Sequence, residues 1–217
     1  PLSRNPRRVL FGGYAPVHFL CFQPVYEILR RDPEIDFWLT GGFRRQQEGQ
    51  TWYEIEGFYE GFGVDPDRVL PFEEAVEQPF DASICAHTST TLLARKPGGS
   101  VQVFHGVSFK NFAVREKVLD YDLVCVPGAY HAERFRQEGI LGRGSSTFLL
   151  TGFAKSDRLV EPGFDREAFL RGLGLDPERP AILVAPTGGK HNALETVGEE
   201  VIRAIDRDGR WSRLVKP

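Results

Sequence analysis

The strongest candidate for chemistry is a histidine that directly follows a strongly apolar run. In VQVFHGVSFK, residues 101–110, the apolar run ends at Phe104, and His105, Gly106 and Lys110 come after it. A neutral imidazole near pH 7 can take the proton of an attacking hydroxyl, and a lysine can offset phosphate charge. These residues suit transfer from a nucleotide-activated donor, with His105 as the base. The alternative for His105 is a structural histidine that caps the next helix.

A second candidate loop, GGYAPVH, spans residues 12–18. Gly12 and Gly13 precede the N-terminus of a predicted helix, where a backbone without side chains can approach a ligand and where anions are favoured. His18 falls in the first turn of that helix. The loop lacks the G-x-G-x-x-G spacing, so it does not predict an NAD site. A structural role for His18 stands beside a role in binding substrate.

Two more loops carry polar groups that suit donor or acceptor binding. In PTGGKH, Pro186, Thr187, Gly188 and Lys190 precede a predicted helix and form a candidate phosphate cradle, although the Walker A pattern is absent. Thr88, in HTSTT, follows a buried run and is a candidate on the acceptor side. The alternatives are a solvated turn for the first loop and hydroxyls that cap a helix for the second.

Short β-rich runs alternate with amphipathic runs along the whole chain, a pattern typical of an α/β fold with a parallel sheet. The pattern predicts strands at residues 8–13, 35–40, 68–70, 82–87, 100–104, 123–126, 147–151, 180–185 and 212–216. It predicts helices at residues 16–31, 51–62, 108–119, 129–138, 165–172 and 192–206. Pro24 should kink or divide the first helix. Ligands of such sheets bind beyond the carboxyl ends of the strands, which is where the four candidate loops fall.

The pattern restarts after Gly152, which predicts two domains. We expect a Rossmann-like domain over residues 1–158, a linker near 154–163 and the beginning of a second domain over 164–217. The chain has no methionine and ends directly after a predicted strand, so we expect a fragment of a longer protein.

Composition excludes several classes of protein. A formal net charge of −3 argues against a nucleic-acid binder that works through overall charge. The three cysteines lie in apolar runs without metal-ligand spacing, which favours buried thiols in a reducing cytoplasm and no metal site. No run reaches the length of a membrane span. His131, among charged neighbours, is expected to face solvent.

Five segments, the last of which is the terminal LVKP that looks like the start of a K-x-HP motif, occur in an order that resembles the CDP-glycerol glycerophosphotransferases, enzymes of teichoic-acid-type polymer synthesis. VQVFHGVSFK resembles their HG-x-x-x-K segment, and DLVCVPGAYHAERF is similar to the segment that follows it. TGFAKSDRL resembles their G-x-P-x-x-D linker, with Ala154 where proline is usual, and ILVAPTGG resembles their ILYAPTWR strand. Gly188 and Gly189 replace the aromatic residue and the arginine, a departure that bears on donor identity.

The resemblance implies a GT-B fold, in which the first domain binds the acceptor and the second binds the nucleotide donor. It implies transfer of a glycerol-phosphate or related polyol-phosphate unit from a CDP-linked donor to a polymer or glycan acceptor of the cell envelope. His105 would be the catalytic base or a phosphate ligand, with no obligatory metal or cofactor. The protein would be cytoplasmic, with peripheral association at the inner face of the membrane.

Two other functions remain open from the residues. One is a nucleotide-sugar enzyme of the same fold, either a glycosyltransferase or an enzyme similar to UDP-GlcNAc 2-epimerase. The other is a binding module of this fold that has no catalytic activity.

Overall fold

The structure is a computed structural model, which describes residues 5–13, 15–41, 59–86, 98–107, 114–186 and 191–216. The chain divides into two compact units, Pro1–Val160 and Glu161–Pro217. Each unit is described by itself.

The first unit is built on a seven-stranded parallel sheet in the order β3-β2-β1-β4-β5-β6-β7. Its strands are β1 (Arg7–Gly12), β2 (Ile35–Gly41), β3 (Val69–Pro71), β4 (Ala82–Cys85), β5 (Gly99–Val103), β6 (Leu123–Val126) and β7 (Thr147–Leu150). Because all seven run in the same direction, their carboxyl ends meet at one edge. The predicted α/β class with a parallel sheet is confirmed.

Helices cover both faces of this sheet. The α-helices of the first unit are α1 (Phe19–Leu29), α2 (Phe72–Glu77) and α3 (Ala129–Gln137). Short 3-10 helices span Pro16–His18, Pro66–Arg68, Glu116–Asp120 and Ala154–Leu159. We call the last of these the boundary helix.

Alternate residues of β1 point into two separate cores. Phe11 belongs to the core that includes Phe19 and Phe22 of α1, whereas Leu10 belongs to the core that includes Phe135 of α3. A strand buried on both faces needs apolar residues at every position, which explains the continuous apolar run at the end of β1.

Arg8 fixes the opposite, amino edge of the sheet. Its guanidinium donates hydrogen bonds to the carbonyl of Pro79 at 2.9 Å and to Oε1 of Gln78 at 2.8 Å. It lies over the ring of Phe80, 4.6 Å from the centroid, and its backbone amide donates to Asp81 at 2.8 Å. These contacts tie the beginning of β1 to the loop that leads into β4.

The second unit contains a two-stranded parallel sheet of β8 (Ala181–Val184) and β9 (Ser212–Val215) with helices α4 (Arg166–Gly172) and α5 (Ala193–Asp208). Asn192 caps α5 by accepting hydrogen bonds from the amides of Leu194 and Glu195. Asp165 caps α4 in the same way, through the amide of Ala168. Asn and Asp are favoured at such positions because their side chains satisfy amides that have no partner within the helix.

Several predicted elements differ in the structure. α1 continues through Pro24 undivided, because the loss of one backbone hydrogen bond is offset by its packed aromatic face. Residues 59–63 form turns in place of the end of a helix, and Glu116–Asp120 is a 3-10 helix. The remainder of those two predicted helices, 51–58 and 108–113, lies outside the described residues. The expected linker contains the boundary helix, which packs against α1.

Within the described ranges, no helix has the length and apolar character that crossing a bilayer requires.

Gly98 offers a sharp test of the turn that leads into β5. Its φ is +118°, and an added Cβ would lie 2.5 Å from the carbonyl oxygen of Phe80. Gly98→Ala should therefore lower the free energy of unfolding by at least about 2 kcal/mol. The matched control is Gly99→Ala, where the nearest atom would be 3.9 Å away. Urea denaturation of both variants measures the effect, and equal stabilities would contradict this account of the turn.

Candidate active site

The carboxyl edge of the sheet brings two of the predicted histidines together. The ring centroids of His18 and His105 are 4.9 Å apart, and the ring planes are tilted by 41°. His18 follows β1 and His105 follows β5, so β4 lies between the two strands that position them. The part of the chain that the structure describes contains no group of three or more His, Cys, Asp and Glu side chains that could hold a metal ion.

His18 is a buried support for the pair. Its side chain is 2% exposed, and it ends the 3-10 helix Pro16–His18. The backbone of Gly13 passes against it so closely that an added Cβ would lie 2.6 Å from the Cβ of His18 and 3.1 Å from its Nδ1. Glycine at position 13 is therefore required for His18 to occupy this place. Gly12 is also buried, as the last residue of β1.

His105 is the accessible member of the pair. Its residue is exposed, yet the part of its ring that packs against the protein is desolvated enough to lower the imidazole pKa. The backbone of Ala86 forms a hydrogen bond that opposes this shift, and the positive charge of Lys155 adds to it. A neutral imidazole is thus favoured near pH 7, which is the form that accepts a proton.

Lys155 is a residue that sequence reasoning missed. It lies in the boundary helix, which packs against α1, and its side chain is half-buried. Among the described residues, no carboxylate lies within ion-pair distance of its ammonium group. Only the tertiary contact between the boundary helix and α1 brings this charge near His105, so residue spacing held no signal for it.

The remaining acceptor-side candidates are only partly described. Gly106 follows His105 and is half-buried, and an added Cβ there would meet no atom within 4 Å, so glycine is not sterically required. Lys110 and Thr88 lie outside the described residues.

The donor-side candidates belong to the second unit. Pro186 is half-buried beyond the end of β8, whereas Thr187, Gly188 and Lys190 lie outside the described residues. Just beyond this loop, the amide of His191 already donates to Oε2 of Glu195 at 2.7 Å.

His131 is buried, so the expectation that it faces solvent is wrong. Its side chain is 3% exposed and stacks on Phe104, with ring centroids 5.8 Å apart. Its Nε2 has no hydrogen-bond partner among the described residues, and burial lowers the pKa of the ring. The available signal was its spacing of four residues from Phe135, which places both side chains on the same face of α3.

Two of the three cysteines are buried, as the sequence predicts, and the third is partly buried. Cys21 and Cys85 are buried free thiols, and Cys125 is half-buried. Burial raises the pKa of Cys21 to about 11 and also raises the pKa of Cys125. Both thiols are protonated, and therefore weakly nucleophilic, at neutral pH.

No protein-family model and no curated protein matches the sequence. Solved structures do match it. A Listeria monocytogenes protein described as a UDP-N-acetylglucosamine 2-epimerase superimposes with a TM-score of 0.66 at 14% identity, over 99% of this chain and 63% of that one. The S. aureus protein MnaA with UDP superimposes with a TM-score of 0.64 at 14% identity, over 98% of this chain and 62% of that one. For UDP-GlcNAc 2-epimerase from Neisseria meningitidis, bound to UDP-GlcNAc, the TM-score is 0.59 at 11% identity, over 97% of this chain and 65% of that one.

The chain thus spans less than two thirds of the length of these structures. At such low identity the similarity establishes the fold, an α/β Rossmann-like architecture of the GT-B type that the UDP-GlcNAc 2-epimerases also have. None of these matches supports the more specific resemblance to CDP-glycerol glycerophosphotransferases.

The electrostatics of the pair can be measured by NMR titration of the imidazole resonances. We expect His105 to titrate with a pKa below its ordinary value of 6.5, because partial burial and then Lys155 disfavour the charged ring. Lys155→Ala should raise that pKa. Arg158→Ala, which removes an exposed cation from the same boundary helix, is the control and should leave it in place. An unchanged His105 pKa in Lys155→Ala would contradict the proposed proximity.

The buried His131 predicts a loss of stability in acid. Its folded-state pKa lies below the ordinary value of 6.5, so the unfolded chain takes up the proton first as pH falls. Stability should be full at about pH 7.5 and should decline as the pH falls through 6.5 towards the folded-state pKa. His131→Phe should reduce this decline but not abolish it, because the pKa of His105 is lowered as well. Urea midpoints at pH 7.5 and 5.5 test the prediction, and an equal decline in the variant would refute it.

Proposed function

We propose that the protein containing this chain acts on a UDP-activated sugar and that His105 is its general base. The observation that carries the proposal is the exposed imidazole of His105, seated against buried His18 at the carboxyl edge of the parallel sheet. Ligands of parallel α/β sheets bind at this edge. The fold is shared with the S. aureus protein MnaA, which was solved with UDP, and with a UDP-GlcNAc 2-epimerase that was solved with UDP-GlcNAc bound.

The chemistry requires a proton acceptor beside the sugar. In a transfer reaction, His105 takes the proton of the acceptor hydroxyl while the new oxygen–carbon bond forms. The bond between the sugar and UDP then breaks, and UDP leaves with the electron pair. In an epimerisation, a base of the same kind removes the proton from one sugar carbon, and water or another acid returns a proton to the opposite face of that carbon. His18 is a positioning residue in both cases, because it is buried and its ring lies next to the ring of His105.

The other candidate residues take supporting roles in this proposal. Gly12 and Gly13 are buried and Gly13 leaves room for His18, Gly106 follows the base, and Lys110 and Thr88 would contact the substrate. Donor phosphates would bind at the loop that contains Pro186, Thr187, Gly188 and Lys190. Because the first amides of α5 are already bonded to Asn192, the charge of Lys190 would be the main contribution there.

A second candidate function rests on the order of the sequence segments that begins with VQVFHGVSFK. It is transfer of a polyol phosphate from a CDP-linked donor, with a cell-envelope polymer or glycan as the acceptor. There His105 would take the proton of the acceptor hydroxyl, the new oxygen–phosphorus bond would form, and CMP would leave. The two functions share the base and differ in the donor and in the bond that breaks.

A donor screen on the complete protein tests the proposal. We expect release of UDP, or a sugar epimer, from UDP-GlcNAc or another UDP-sugar, measured by chromatography and NMR. His105→Gln should lower turnover about 100-fold, because a general base contributes about that much. His131→Phe is the control at a buried histidine outside the pair and should retain activity.

The outcomes separate the candidates. Release of CMP from CDP-glycerol or CDP-ribitol would replace the first function with the second. Normal turnover by a folded His105→Gln variant would contradict the role of the base. A folded protein that turns over none of these donors would favour a binding module without catalytic activity.

A further inference from the structure

A cavity of about 300 Å³ lies within the first unit, and Phe104, the residue before His105, is part of its wall. α1 forms one wall through Cys21, Val25 and Ile28, and the ends of β5 to β7 form another. The segment that leads into the boundary helix, including Ala154, completes it. We call it the α1 cavity. Its volume falls at the lower end of the range for small-molecule sites.

The walls of the α1 cavity are mainly apolar. Pro24, Val103, Phe104, Pro127 and Phe153 contribute carbon surface, in addition to the residues named above. Cys21 and Cys125 also line it, and burial keeps both thiols protonated at neutral pH. Such a wall favours an alkyl or aryl group over a polar one, because removing apolar surface from water is favourable.

A positive charge lies beside this apolar space. Lys155 follows Ala154 in the boundary helix, and its ammonium acts on both the Cys21 thiol and the His105 imidazole. It is half-buried and has no carboxylate partner among the described residues. Asp157, the one acidic residue of the cavity wall in the described chain, is exposed. A half-buried ammonium that lacks a carboxylate partner in the described ranges is a candidate site for an anion.

We propose that the α1 cavity binds the apolar group of an amphiphilic anion, such as an alkyl or aryl phosphate, with Lys155 as the countercharge at its rim. The ligand would lie next to Phe104, whose chain neighbour is His105. The inference goes beyond the proposed function, because it concerns binding in this cavity and requires no turnover.

Calorimetric titration of the 217-residue chain with octyl phosphate tests the inference, with inorganic phosphate and 1-octanol as half-ligands. Octyl phosphate should bind with 1:1 stoichiometry, at least about tenfold more tightly than either half-ligand. Lys155→Ala should weaken its binding about tenfold, the size expected for loss of one charge-assisted hydrogen bond. Arg158→Ala is the matched control on the same helix and should bind normally.

Filling the cavity is the second arm of the experiment. Val25→Trp places an indole ring in the space and should abolish binding of octyl phosphate. Ile28→Trp makes the same change at a residue that is 70% exposed, so it preserves folding and keeps the test valid if Val25→Trp is unstable. Asp157→Asn should strengthen binding by removing a negative charge from the wall.

Three results would overturn the inference. The first is no saturable binding of octyl phosphate by the folded wild-type chain. The second is wild-type affinity in a folded Ile28→Trp or Val25→Trp variant, which would place the ligand elsewhere. The third is equal loss of affinity in Lys155→Ala and Arg158→Ala, which would reduce the role of Lys155 to general surface charge. Because no donor or turnover is involved, these results are independent of the donor screen.

Discussion

The first unit depends on the parallel pairing of β1 with strands on both of its sides. β1 pairs with β2 through Phe11 and Leu39 and with β4 through Phe11 and Ile84. A parallel strand in the middle of a sheet must be covered on both faces, so helices have to return over each side before the next strand can form. All the strands therefore end at the same edge of the sheet, and the loops that leave them lie along that edge.

The candidate site is a consequence of that geometry and of one tight backbone approach. At the end of β1 the chain has no side chain at Gly13, and His18 fills the space that is left. The buried ring then supports His105, which arrives from β5. The charge near the pair comes from a third direction, because the boundary helix packs on α1 and carries Lys155 with it. Segments that are distant in sequence therefore meet around one imidazole.

Fold similarity and sequence pattern lead to different groups of proteins. The solved structures that match the fold include the S. aureus protein MnaA with UDP and a 2-epimerase with UDP-GlcNAc, whereas the order of segments after residue 101 resembles enzymes that use CDP-linked polyols. The proposed base, His105, lies at the carboxyl edge of the sheet and is the same for both candidate functions. The α1 cavity adds a feature that neither comparison suggested, since it is formed by packing and not by a motif. Its apolar wall and adjacent ammonium define a ligand by shape and charge.

The sequence by itself determined the class of fold and most of the elements. Short-range chemistry decides these features: apolar runs form buried strands, Asn192 and Asp165 cap helices, and Gly139 takes the positive φ of 63° that ends α3. It also selected His105 and His18, because each follows a predicted strand. Only the tertiary structure decided that these two rings meet and that Lys155 lies nearby. The physical reason is that these features depend on contacts between segments many residues apart, which composition and spacing do not encode.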